Sequence, residues 1–305
     1  MIKIELRFKN GVRQPYTQDN YDDNTFKFFK FSGGEIHIEL PDDFYSDDTD
    51  FLESINIITK INDSDSLMQL LMITDALRRK FVNPKINVTI PYFPYARQDK
   101  IVVDGEALSI KVFTDIINLQ NYNTVTTFDL HSEVSKALTN NLIEITQKEV
   151  FTKTQLNMNF SNMYLVSPDI GASKKIYSIY ENYSYTDNSF KGVIQANKKR
   201  NNVGQIIETE VFFDKFQDED VIIVDDICDG GRTFTELAKV LKTKGCGKII
   251  LFVTHGIFSK GFDVLFENGI DEIITTDSFY TTNDEDETKY GSKIKVIDVL
   301  NYDGR

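Results

Sequence analysis

Residues 221–241, VIIVDDICDGGRTFTELAKVL, constrain the fold of this chain more than any other stretch. Val221, Ile222, Ile223 and Val224 are consecutive β-branched apolar residues, and such a run reads as a strand buried on both faces. A sheet offers two buried faces only when helices cover both sides, which directs the chain to the α/β class. The strand runs into Asp225, Asp226 and Asp229, then Gly230 and Gly231, then a helical stretch that ends at Gly245. In open α/β sheets, ligands bind beyond the carboxyl ends of the strands. Glycines there let backbone N–H groups approach a phosphate, and the helix N-terminus favours its charge. Ionised carboxylates only accept hydrogen bonds, so they suit sugar hydroxyls or a cation. A Walker-type phosphate loop is excluded, because its Lys-Ser/Thr ending is missing. The plainer alternative makes Asp229 or Thr233 a helix cap and leaves the other acids solvated. Three acids crowded at the end of an apolar strand argue against it.

The same alternation recurs along the chain. FLESINIITKI predicts a strand around residues 54–58, SDSLMQLLMITDALRRKF an amphipathic helix, and INVTIPYF a further strand. GEALSIKVFTDIINL reads as a helix and TVTTFDL as a strand running into His131. A second series follows LIEITQKEV: the strand NMYLVSPD, the helix SKKIYSIYENY, the strand FKGVIQA, a basic polar loop, DVIIVDD with its helix, and the strand KIILFVTH. At 305 residues the chain is long for one core. Two similar α/β domains are expected, 1–146 and 147–305, each a mostly parallel sheet flanked by helices.

Composition narrows the function. Lys and Arg total 34 against 47 Asp and Glu, a formal charge of −13. That balance argues against a general nucleic-acid binder, which needs clustered cations. A protein this acidic needs local basic groups to handle a polyphosphate, and NKKRNN at 197–202 is the densest cluster. No run approaches the length needed to span a bilayer, MIKIELRFKN lacks a signal-peptide pattern, and the cysteines are only Cys228 and Cys246. A cytoplasmic protein with no membrane partner is expected, with Cys228 packed beneath the acidic loop.

The 225–233 element resembles the phosphoribosyl-pyrophosphate loop of type I phosphoribosyltransferases and ribose-phosphate pyrophosphokinases. Asp225, Asp226, Asp229 and Thr233 match that pattern, while Gly230 stands where Thr is usual and Arg232 where Gly is usual. Other stretches resemble the pyrophosphokinases in the same order: PYFPYARQDK with Arg97, Gln98 and Asp99, TFDLH ending at His131, VSPDIGASKK with Asp169, and THGIFSKG at 254–261. A hairpin with Phe31, Ser32, Gly33, Gly34 and Glu35 lacks one Asp of the family's adenine-contacting hairpin.

The resemblance implies two phosphoribosyltransferase-like domains in a homo-oligomer, a dimer or hexamer. It implies transfer of the β,γ-diphosphate of ATP to the anomeric hydroxyl of ribose 5-phosphate, with Mg²⁺ as cofactor and AMP as the second product. Phe31, Glu35, Arg97, Gln98, Asp99 and His131 are then ATP contacts. Asp225 and Asp226 hold ribose hydroxyls, and Asp229, Gly230, Gly231, Arg232 and Thr233 wrap the 5-phosphate. His131 and Asp169 are metal-linked, and Lys198 and Arg200 close over the reacting phosphates from a mobile loop, with Lys199 between them. The departures at Gly230 and Arg232 would also suit a larger acceptor such as ADP-ribose. A phosphoribosyltransferase and a non-catalytic regulatory relative are the alternatives from other classes.

Overall fold

The computed structural model describes residues 2–9, 11–12, 16–17, 26–40, 52–153, 158–200 and 206–300, with backbone alone at 11–12, 16–17, 199–200 and 206–208. The chain forms two compact units, Met1–Ile145 and Thr146–Arg305.

The first unit holds strands β1 (Ile2–Phe8), β2 (Gly11–Val12), β3 (Tyr16–Thr17), β4 (Lys27–Lys30), β5 (Ile36–Glu39), β6 (Leu52–Thr59), β7 (Ile86–Thr89), β8 (Thr124–Phe128) and β9 (Leu142–Ile145). Its main sheet runs β2-β1-β6-β7-β8-β9, with β3 also on β1. The neighbours from β6 to β9 pair in parallel, while β1 lies antiparallel to β6. Helix α1 (Ser64–Lys80) starts at an Asp63–Ser66 capping box and buries Leu70, Ile73 and Leu77, the apolar spacing of a helix packed on a sheet. Helix α2 (Ser109–Leu119) begins later than the GEALSIKVF stretch suggests. The carboxylate of Glu106 accepts from the N–H groups of Val102 and Val103 at 2.9 and 3.1 Å, so residues 102–106 close a turn of their own. Strand β8 stops at Phe128, which leaves His131 in the turn before α3 (Glu133–Leu138).

In the second unit, α4 (Gln147–Lys153) is followed by β10 (Met163–Ser167), α5 (Ser173–Tyr183), β11 (Gly192–Arg200), β12 (Ile206–Val211), β13 (Asp220–Cys228), α6 (Arg232–Thr243), β14 (Ile249–Gly256), α7 (Asp263–Phe266), β15 (Glu272–Thr276), α8 (Asp284–Tyr290) and β16 (Ile294–Ile297). The sheet order is β12-β11-β10-β13-β14-β15-β16, parallel throughout except for β11 with β12. Val221 to Val224 are fully buried, as a strand covered on both faces requires.

One expectation is corrected. Residues 197–200 of the basic cluster are strand: Lys198 pairs with Thr209 and Lys199 with Glu208 across the antiparallel β11–β12 ladder. Backbone at the end of β11 gains ladder partners from β12, and that gain outweighs the polar composition. Asn201 and Asn202 lie outside the described residues.

The order of this sheet has a functional consequence. From β10 the chain builds outward to β11, then returns to place β13 on the other side of β10 and continues outward to β16. The reversal between β10 and β13 is a topological switch point, where loops splay apart and open a crevice at the carboxyl ends of the two strands. No helix among the described residues is long and apolar enough to cross a membrane.

Candidate active site

The crevice at the switch point collects acids from both strands. β13 carries Asp225 and Asp226 in its final turns of pleat, and the loop after β10 carries Asp169. Asp225 is half-buried and Asp226 is 8 % exposed. Burial, together with the negative charges of Asp226 and Asp169, pushes the Asp225 carboxyl well above the usual carboxylate range, against the opposing pull of Lys198. Lys198 reaches in from β11, and its Nζ lies 2.9 Å from Asp169 Oδ2. Burial alone would raise Asp169, but the charge and hydrogen bond of Lys198 and the donation from the Ala172 N–H hold its carboxyl below the ordinary value. The Ala172 N–H donates at 3.1 Å to Asp169 Oδ1, so both oxygens of that carboxylate are engaged. Lys175 in the first turn of α5 sets its Nζ 3.7 Å from Asp226 Oδ2.

The glycine loop follows. Gly231 precedes α6 with φ +75°, and a Cβ there would stand 2.8 Å from Leu265 Cδ2. The positive φ favours glycine, and any Cβ would also oblige the Leu265 side chain to shift. Gly231, the N-cap residue of α6, offers no side-chain acceptor to the first N–H groups of the helix. Asp229 instead accepts from Ser259 Oγ at 2.6 Å, tying this loop to the one after β14. Arg232 is exposed and Thr233 half-buried. Cys228 is fully buried, its thiol pushed up by burial and by the charges of Asp225 and Asp229. It packs beneath the loop as expected of a small apolar residue.

Three carboxylates here face two ammonium groups, which leaves a surplus of hard oxygen donors. No group of three or more His, Cys, Asp or Glu among the described residues is gathered closely enough to hold a metal ion. Carboxylate oxygens such as those of Asp169 and Asp226 suit a hard cation such as Mg²⁺, which keeps waters and takes only one or two carboxylates plus ligand oxygens.

In the first unit, the loops after β7 and β8 carry the remaining candidates. Ser132 Oγ donates at 2.7 Å to Asp99 Oδ2, which joins the Arg97–Asp99 segment to the turn holding His131. Arg97 and His131 are exposed. Tyr95 adopts φ 62°, and the Gln98 N–H donates back to its carbonyl at 3.0 Å, so the segment is a tight turn. Separately, the β4–β5 hairpin closes through Phe31 N–H to Glu35 O at 2.9 Å and Gly34 N–H to Phe31 O at 2.8 Å. Phe31 is 53 % exposed, and its ring lies 5.2 Å from Phe29 and 5.8 Å from His37. A Cβ on Gly33 would stand 2.6 Å from Glu35 Oε2. The missing Asp is thus replaced by a glycine over which the Glu35 carboxylate folds.

The structure brings Asp169, Lys198, Asp225 and Asp226 together, and sets Asp229 to Thr233 beside them. The side chain of Arg200 lies outside the described residues. Sequence reasoning missed Lys175 and Ser259; the first sits in a Lys pair near Asp169, and the second in the quoted THGIFSKG stretch.

Known proteins show the same pattern. A family model described as the N-terminal domain of ribose phosphate pyrophosphokinase matches residues 19–120, and one described as the phosphoribosyl synthetase-associated domain matches residues 216–302. A ribose-phosphate pyrophosphokinase from Shewanella oneidensis is 31 % identical over 252 residues, 82 % of this chain and 76 % of that protein. One from Haemophilus influenzae is 29 % identical over 276 residues, 88 % of this chain and 82 % of that protein. The crystal structure of phosphoribosylpyrophosphate synthetase from Mycobacterium smegmatis superposes with a TM-score of 0.73 at 21 % identity, covering 90 % of this chain and 86 % of that one, a match of fold.

Proposed function

This chain belongs to the ribose-phosphate pyrophosphokinase family, and from that membership we infer an ATP-dependent diphosphotransferase that converts ribose 5-phosphate to 5-phosphoribosyl 1-pyrophosphate, releasing AMP. The observation that carries the reading is the meeting of Asp169, Asp225 and Asp226 with Lys198 beside a glycine loop at the sheet's switch point. The names of the relatives favour ribose 5-phosphate over a larger acceptor and over phosphoribosyltransferase chemistry.

In the second unit, Asp225 and Asp226 accept hydrogen bonds from the ribose hydroxyls. The 5-phosphate sits against the uncapped N-terminus of α6, with Thr233 and Arg232 as further donors. The anomeric oxygen attacks the β-phosphorus in line, its proton passes to solvent, and the bond from that phosphorus to the α-phosphate oxygen breaks as AMP departs. Such chemistry depends on positioning and charge neutralisation rather than on a covalent intermediate. Lys198, resting on Asp169, exchanges that carboxylate for a transferring phosphate oxygen, and Arg200 acts beside it. Asp169 in the second unit and His131 in the first are each candidate contacts for Mg²⁺, which would supply charge neutralisation to the polyphosphate. In the first unit, Phe31 and Glu35 contact the adenine, and Arg97, Gln98 and Asp99 the rest of ATP. The enzyme works as a cytoplasmic homo-oligomer.

The experiment mixes ATP, Mg²⁺ and ribose 5-phosphate with the protein and follows AMP, with phosphorus NMR to identify the product. AMP formation with ADP-ribose and none with ribose 5-phosphate would overturn the acceptor assignment.

A further inference from the structure

Gly230 has a neighbour that nothing above uses. A Cβ built on it would lie 3.5 Å from Lys260 Cε, 3.6 Å from Cδ and 3.8 Å from Cγ, so the aliphatic stem of Lys260 runs along the glycine. The segment that carries Lys260 is firmly attached to the acidic loop. The N–H groups of Ile257 and Phe258 donate to Cys228 O at 2.8 and 3.0 Å, and Ser259 Oγ donates to Asp229 Oδ1 at 2.6 Å. Phe258 is buried, with its ring 4.5 Å from Phe262, which anchors the turn from below. Gly261 follows at φ +71° and lets the chain turn away directly after Lys260. The ammonium-bearing side chain is therefore held against the loop by a rigid support. Among the described residues Lys260 makes no ion pair.

We propose that Lys260 is a recognition residue for the 5-phosphate of the acceptor, delivered over Gly230 from the loop after β14. This rests on the diphosphotransferase reading of the site. A phosphate monoester carries close to two negative charges, and the uncapped N-terminus of α6 supplies backbone donors for only part of them. A threonine at position 230 would offer one neutral hydroxyl, with its Cβ in ordinary contact with the Lys260 stem. Glycine gives up that hydroxyl, and the Lys260 stem alongside it brings a cation in its place. A charge-assisted hydrogen bond to phosphate is about twice as strong as a neutral one, so the exchange preserves affinity. Lys260 and Gly230 thus act as a matched pair that holds ribose 5-phosphate by charge.

The test compares the wild type with Lys260→Ala, Lys260→Arg and the double variant Lys260→Ala/Gly230→Thr. Lys260→Ala is expected to raise the KM for ribose 5-phosphate about tenfold or more, the loss of one charged hydrogen bond. The KM for ATP should stay within about twofold, the arginine variant should recover most of the loss, and the double variant should recover part of it. Calorimetric titration with ribose 5-phosphate alone should show the same loss of affinity, and it reads Lys260 whether or not the protein turns over. Equal rises in both KM values, or unchanged ribose 5-phosphate affinity in Lys260→Ala, would overturn the proposal. A wild type that binds ribose 5-phosphate through Lys260 yet releases no AMP would sink the diphosphotransferase reading and leave this one standing.

Discussion

Replacing Lys198 by alanine separates the structural from the chemical role of the β11 cation. Its side chain is 5 % exposed and its partner Asp169 is 39 % exposed. Truncation removes the lysine's buried stem and charge, while the Asp169 carboxylate, already wet, regains water at little cost. The stability loss is therefore that of a partly screened pair, about 1 kcal/mol. The rate loss is larger, because the group is required where charge develops on the transferring phosphates. One preorganised donor contributes about 3 kcal/mol to the barrier, or roughly a hundredfold in turnover. The assay is AMP release at saturating ATP, Mg²⁺ and ribose 5-phosphate, with a thermal melt of the same sample. A second readout follows from the site's electrostatics. Lys198 opposes the upward shift of Asp225, so its removal drives that carboxyl higher, and the pH at which ribose 5-phosphate affinity is gained moves upward. Turnover within about threefold of wild type, with an unmoved pH profile, would refute the role given to Lys198.

Four further outcomes are expected. Asp225 has a folded-state pKa raised above its unfolded value, so the native state holds the proton more tightly and stability is lost as pH rises through that interval. Asp225→Asn should therefore melt with wild type below the ordinary carboxylate value of 3.8 and a few degrees higher at neutral pH, while turnover collapses; melts run across pH decide it. Gly231→Ala places a Cβ 2.8 Å from Leu265 Cδ2 at φ +75°, and should cost about 2 kcal/mol in denaturant unfolding and weaken ribose 5-phosphate binding. Phe31→Ala removes an exposed ring from the β4–β5 hairpin and should raise the KM for ATP about fivefold, leaving the melt unchanged, because base stacking contributes about 1 kcal/mol. Chelation by EDTA should abolish AMP release and added Mg²⁺ restore it; activity undiminished by chelation would remove the cation from the mechanism.

Much of this was legible in the chain. The run Val221 to Val224 announced a doubly covered strand, and the acids and glycines after it announced a ligand loop, because both signals are local. The resemblance to ribose-phosphate pyrophosphokinases holds against the relatives, and it rested on several ordered stretches rather than on one. The basic cluster was misread where its fate depended on a distant partner. NKKR has the composition of a loop, yet β12 supplies the ladder that makes it strand.

Local pattern by itself determined the α/β class, the element types and the chemical character of the acidic loop, since periodicity and turn chemistry act over a few residues. Lateral strand order is a different matter, for a parallel strand carries no mark of which neighbour it will meet across a long crossover. Only the tertiary structure placed β10 beside β13 and so created the switch point. The same packing set Lys198 against Asp169, Lys175 against Asp226 and Lys260 along Gly230. In the VIIVDD strand the sequence supplied the acids, and the sheet around it supplied the cations that make them a site.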